Sequence, residues 1–307
     1  MSFSKIVKEE VTRLDINKME AVAELSAIVR NNAIIDNNII IHIENNASAR
    51  YVFKLFKNIY DVTCRITIRN KPFNKGLSYI LEIRNKVPEI LKDLSIINND
   101  GKYLNIPKEY IVSDEDSIRS YLKAVFISVG SVNDPKTSRY HLELILDDLK
   151  YAEFINDILN NFNLNSKIIK REKKYTVYIK EAEKISDFLR IIRAYNAVLY
   201  YEDIRIYRDH KNMTNRLNNC EQANVDKIFI TAASQIKDIE KLQNLDMIDL
   251  LDEKLQEVIL YRLKYKEASL QELSEIISSE TGNKITKSGL NHRFRKIKEI
   301  VNNIENK

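Results

Sequence analysis

Apolar residues along this chain recur alternately at three-to-four-residue and at two-residue spacing, the marks of amphipathic helices and half-buried strands. After a short entry over 5–13, helix or strand by pattern, the spacing predicts a helix over about 17–31 and a strand through Ile34–Glu44. Next comes a helix opening near Asn46 and Ser48 and carrying Val52, Leu55, Phe56 and Ile59. Two strands follow, DVTCRITIRN and LSYILEIRN, joined by a turn holding Pro72 and Gly76, and then a short helix after Pro88. Residues 98–115 read as a linker, polar, broken by Gly101 and Pro107, and closed by acids suited to a helix start. The order then returns: a helix over 116–129, a turn at 133–135, the strand RYHLELILDD, a helix over 149–162, the strands SKIIKRE and KYTVYIK, and a helix over 182–194. Two copies of α-β-β-α-β-β-α, offset by roughly 97–100 residues, predict a pseudo-two-fold unit with the opening helices at its axis.

From about 209 to 243 a helical pattern, one long helix or two shorter ones, leads away from this unit, and the last sixty or so residues are helical throughout. The predicted class is α+β: two pseudo-symmetric repeats, 1–103 and 104–200, a helical linker, 201–245, and an all-α module, 246–307. In that module Leu255, Val258, Ile259 and Arg262 follow one helix face, and Ser269 with Glu272 forms a capping-box signature for the next helix. Gly282 and Asn283 break that helix, and a third follows in which Leu290, Phe294, Ile297 and Val301 make one buried stripe.

Charge changes the picture only locally. The excess of 49 Lys and Arg over 44 Asp and Glu, +5 in all, is too mild to demand a polyanionic partner. Yet Lys284, Lys287, Arg293, Arg295, Lys296 and Lys298 stand without an acid between 284 and 298. Helix, turn, cationic helix is the pattern of a helix-turn-helix that places the start of its last helix in the major groove. Ser288, Asn291, His292 and Arg293 carry the groups that bond base edges or phosphates. The bland alternatives are a solvated basic face on a small helical bundle and a partner-binding helix. Cys64 and Cys220 form neither a disulfide framework nor a metal-ligand spacing, and no apolar run reaches membrane length.

The opening helices contain LSAIVRNNA (25–33) and LKAVFISVG (122–130), which are similar to the nine-residue LAGLIDADG motif of homing endonucleases at Leu25 and Leu122, Ala27 and Ala124, and Ala33 and Gly130. The resemblance implies two helices packed at an interface, with sheets forming a saddle. It places metal-binding aspartates where this chain has Asn32 and Val129, an amide and a hydrocarbon that cannot replace carboxylates around a hard cation. Asp36 and Asp134 are the nearest substitutes; the NDP context makes Asp134 a turn residue, and a solvated acid is the commoner role for either.

A degenerate pair of this kind followed by a helix-turn-helix resembles the WhiA family of bacterial regulators. The resemblance is carried by ITKSGLNHRFRKI, by MTNRLNNCEQANVDKI (213–228) and by GSVNDP (130–135), and it covers almost the whole chain. It implies a cytoplasmic, nucleoid-associated transcription regulator linked with cell division or sporulation. Such a protein contacts double-stranded DNA through its C-terminal module, with RNA polymerase or another regulator as a partner, and has no catalytic residue, metal or cofactor. The endonuclease-like unit would then serve as scaffold or sensor. Alternatives are a metal-dependent endonuclease using other acids, or a ligand-sensing or protein-docking scaffold. Arg65 and Arg69 on one strand face are candidate backbone contacts, and the basic run 167–175 reads as a charged hairpin tip. Cys220 reads as a small buried residue.

Overall fold

The computed structural model describes residues 2–70, 76–137 and 139–305, so Pro72 lies outside the described residues. The chain forms two compact units, Met1–Arg208 and Asp209–Lys307. In the first, α1 (Phe3–Val11) precedes two repeats. One is α2 (Lys18–Asn32), β1 (Ala33–Ile35), β2 (Ile39–Ile43), α3 (Asn46–Tyr60), β3 (Arg65–Asn70), β4 (Leu77–Ile83) and α4 (Val87–Asp93). The other is α5 (Glu115–Val129), β5 (Gly130–Val132), β6 (Leu142–Leu146), α6 (Leu149–Asn161), β7 (Lys167–Arg171), β8 (Lys174–Ile179) and α7 (Ala182–Ile191). Each repeat makes one antiparallel sheet, in the orders β1-β2-β4-β3 and β5-β6-β8-β7.

The stretch Ile34–Glu44 is therefore not one strand. Asp36 N–H donates to Asn38 O and turns the chain between β1 and β2, because the polar run Asp36-Asn37-Asn38 favours a turn over an extended backbone. The interval 98–115 is also less free than a linker. Ile97 bridges Tyr103, a 3-10 turn spans Glu109–Val112, and the Arg30 guanidinium donates to the carbonyls of Leu104 and Ser95.

Side-chain caps fix where the helices begin: Asn17 and Glu20 form a capping box on α2, while Asn45, Asp114 and Asp148 cap α3, α5 and α6. Helices α2 and α5 pack on each other along small and apolar residues, with Ala23, Ala27, Leu122 and Ala124 wholly buried. Gly130 ends α5, where an added Cβ would lie 2.4 Å from Phe126 Cδ2. Charge also crosses this interface, buried at Glu24 and Lys123 and more exposed at Asp116. Lys123 Nζ lies 2.5 Å from Glu24 Oε1, Tyr51 Oη donates to Glu24 Oε2 at 2.6 Å, and Arg193 joins Glu20 to Asp116.

Helix α8 (Tyr195–Asn244) is one continuous helix that starts well before 209 and passes from the first unit into the second. The second unit then adds α9 (Glu253–Lys264), α10 (Leu270–Thr281) and α11 (Lys287–Glu305). Its own core joins Ile239 and Leu242 to Leu255, Val258, Leu273, Ile277, Leu290, Phe294, Ile297 and Val301. Cys220 is exposed, not buried; its stretch of α8 meets no core.

Candidate nucleic-acid interface

The second unit builds its interface around a tight turn. The Ser269–Glu272 capping box starts α10, and Gly282 ends it at φ +72°, a left-handed conformation that glycine adopts without strain. Ser278 Oγ then accepts from Ile285 N at 3.0 Å, pinning the turn, and Thr286 Oγ1 accepts from Gly289 N at 3.1 Å at the start of α11. Between α10 and the start of α11 lies a groove of about 730 Å³ whose wall includes Gln271, Ser274, Lys284, Lys287 and Ser288.

Opposite the buried stripe of α11, at four- and three-residue steps, stand Ser288, His292 and Arg295, all exposed. Lys287, half-buried Asn291 and Lys298 share one flank, and Lys284 stands exposed just before the helix. Arg293 and Lys296 occupy the other flank, toward α9. Arg293 Nη1 lies 3.3 Å from Glu257 Oε2 and 3.4 Å from Lys254 O, and Lys296 Nζ lies 3.1 Å from Asp252 Oδ2. Arg293 is thus engaged within the unit, an arrangement that helical spacing alone did not disclose. Beneath α11, fully buried Arg262 donates to Ala268 O at 2.6 Å and to Tyr265 O at 3.3 Å, and it lies over the Phe294 ring. Burial holds this guanidinium below its usual pKa.

In the first unit, Arg65 and Arg69 lie on the outward face of edge strand β3, in register with Glu82 and Ser78. The opposite face of β3 is no core either, since Ile66 and Ile68 are 45% and 59% exposed. Strand β7 repeats the pattern: Lys167 and Arg171 pair with Tyr178 and Lys174. Matched cations on both outer strands are a signal that the run 167–175 held only once its register was known.

The former motif positions have other work. Asn32 Nδ2 donates to His42 O at 3.1 Å, tying the end of α2 to β2, which a carboxylate cannot do. Val129 packs against the core. Asp134 Oδ1 accepts from Lys136 N at 2.9 Å within its turn, and Asp36 is exposed between β1 and β2. Among the described residues, no group of three or more His, Cys, Asp or Glu is placed to hold a metal ion. No helix among them is long and apolar enough to cross a membrane.

Three family models match the chain: the WhiA N-terminal LAGLIDADG-like domain over residues 18–97, the WhiA LAGLIDADG-like domain over 118–211, and the WhiA C-terminal HTH domain over 214–301. A "Probable cell division protein WhiA" of Bacillus cereus (strain B4264) is 42% identical, the match covering 98% of this chain and 96% of the relative. A relative of the same name in Bacillus cytotoxicus is 41% identical over the same shares. Among solved structures, full-length DUF199/WhiA from "Thermatoga maritima" shares the fold, with a TM-score of 0.56 and 22% identity over 99% of both chains.

Proposed function

The chain belongs to the WhiA family, and from that premise we propose that it is a non-enzymatic, sequence-specific DNA-binding transcription regulator. The observation that carries the reading is the exposed face of α11. Ser288, His292 and Arg295 point away from the stripe that fastens the helix, with Lys287, Lys298 and half-buried Asn291 on one flank and Lys284 just before the helix. In a helix-turn-helix these first turns enter the major groove. Asn291 and His292 would bond base edges, Arg295 would read guanine or hold phosphate, and Ser288 at the helix start would take a phosphate oxygen. Lys284, Lys287 and Lys298 would supply salt-dependent affinity. Arg293 and Lys296 would chiefly hold α11 on α9, and they retain reach to the backbone.

The first unit serves in this reading as scaffold or sensor. Arg65, Arg69, Lys167 and Arg171 would add backbone contacts, since a row of cations on a strand suits phosphate spacing without reading sequence. A soluble cytoplasmic place on the nucleoid, a role in cell division or sporulation, and contact with RNA polymerase or another regulator complete the proposal. Genome-wide mapping of DNA bound by the full chain and by a His292→Ala, Arg295→Ala variant tests it. Discrete sites that vanish in the variant are expected, and unchanged sites would move the interface elsewhere. Incubation with duplex DNA and Mg²⁺ tests the absence of cleavage, and cutting lost on Asp36→Asn or Asp134→Asn would restore the nuclease.

A further inference from the structure

Where α1, the ends of α2 and α5, strand β2 and the start of α3 meet, the first unit contains a cleft of about 410 Å³. Its lining includes Lys8, Asn32, Glu44, Asn45, Ser78 and Ser128. Three of these carry a polar atom sealed from solvent and without a hydrogen-bond partner: Asn32 Oδ1, Asn45 Nδ2 and Ser128 Oγ. Such atoms in a folded wall are costly, and native proteins satisfy them with a protein group, an ordered water or a bound ion. In the two amides the other end is already fixed. Asn32 Nδ2 is held by His42 O and Asn45 Oδ1 by Ser48 N, so neither amide can flip to satisfy its free end without breaking a bond it already makes.

The balance of this wall is toward donors. Lys8 brings an ammonium, Asn45 an N–H pair and Ser128 a hydroxyl. Asn32 Oδ1 offers an acceptor, and the Glu44 carboxylate lies close enough to Lys8 to act on its charge. Burial draws the Lys8 ammonium down to about 8, an effect that Glu44 partly opposes; a bound anion would relieve the same desolvation. Nothing in the interface on α11 uses this cleft.

We propose that the cleft binds a small organic oxyanion that also carries hydroxyl or amino donors, the oxyanion meeting Lys8, Asn45 Nδ2 and Ser128 and the donors meeting Asn32 Oδ1. The site gives concrete form to the sensor role of the first unit. It does not require DNA binding by the second, so a failed titration leaves that reading intact.

The test uses the full chain and follows acylation of Lys8 by peptide mass spectrometry while inorganic phosphate or D-glycerate is titrated. Saturable protection of Lys8, on the order of tenfold at saturation as for a one-unit rise of its pKa, is expected from at least one of them. Phosphate alone marks a phosphorylated ligand, and glycerate alone a carboxylate. In Asn45→Asp the cap on α3 survives, since aspartate accepts from Ser48 N equally well, while the free donor becomes a negative oxygen and protection should vanish. Ser128→Ala should weaken it by several-fold. Protection by Mg²⁺ in place of the anions, protection unchanged in Asn45→Asp, or none from either anion overturns the proposal.

Discussion

Arg293 turns its guanidinium to Glu257 on α9, 3.3 Å away, while Arg295, two residues on, stands exposed on the outward face of the same helix. Two arginines of similar sequence context therefore divide between an ion pair within the unit and an open, exposed position. Arg295→Ala should weaken binding to a cognate duplex by about 1–3 kcal/mol, and Lys298→Ala should lower the slope of affinity against salt by about one. Arg293→Ala should lower stability by up to about 1 kcal/mol and cost less affinity than Arg295→Ala. Fluorescence anisotropy across a salt series, alongside urea melts, separates the three.

Arg262 is a cation spent inside the second unit. In Arg262→Met the carbonyls of Tyr265 and Ala268 lose their donor, at a cost of about 1–3 kcal/mol. Calorimetry of the full chain should show the transition of the second unit moved down, with that of the first in place.

At the crossing of α2 and α5, removing Lys123 leaves Glu24 as an uncompensated buried carboxylate. Lys123→Met should cost about 3–5 kcal/mol, and adding Glu24→Gln should recover much of it. Burial raises the Glu24 pKa from 4.5, with Lys123 opposing. Without Lys123 the folded state holds that proton more tightly than the unfolded state does, so folding stability falls as pH rises above 4.5. Urea denaturation at a series of pH values should show the variant losing ground to the parent in that direction; a flat difference contradicts it.

The two thiols should separate cleanly. Cys220 is exposed, whereas burial pushes Cys64 up to about 11. Titration with a thiol reagent at neutral pH should label one cysteine in the native chain, identified as Cys220 by peptide mapping, and the second only after denaturation.

What the sequence disclosed was mostly what short-range periodicity controls. The repeated order of elements, the Ser269–Glu272 capping box and the Leu290–Phe294–Ile297–Val301 stripe depend on neighbours a turn or two away, and all appear in the structure. The hairpin inside Ile34–Glu44 escaped because its flanking isoleucines make a continuous apolar run, although Asp36-Asn37-Asn38 carried the turn signal. The early start of α8 escaped because Tyr195–Tyr207 mixes buried and exposed aromatics without a clear stripe. Long-range electrostatics was beyond local pattern altogether: Glu24 and Lys123 are 123 − 24 = 99 residues apart, and the direction taken by Arg293 depends on a glutamate 36 positions upstream.

The pairing of Glu24 with Lys123 also decides which halves of this protein can keep company. The motif copies align at an offset of 122 − 25 = 97, which sets Glu24 against the position of Tyr121 and Lys123 against that of Ser26. Two first repeats brought together would each leave an acid facing a serine, and two second repeats would leave an ammonium facing a phenol. Neither assembly neutralises its own charge. Separately expressed fragments should therefore recognise each other and refuse themselves, a preference that mixing experiments by analytical ultracentrifugation would reveal as a mixed complex with no self-paired species. What began as symmetry has become a lock with a distinct key.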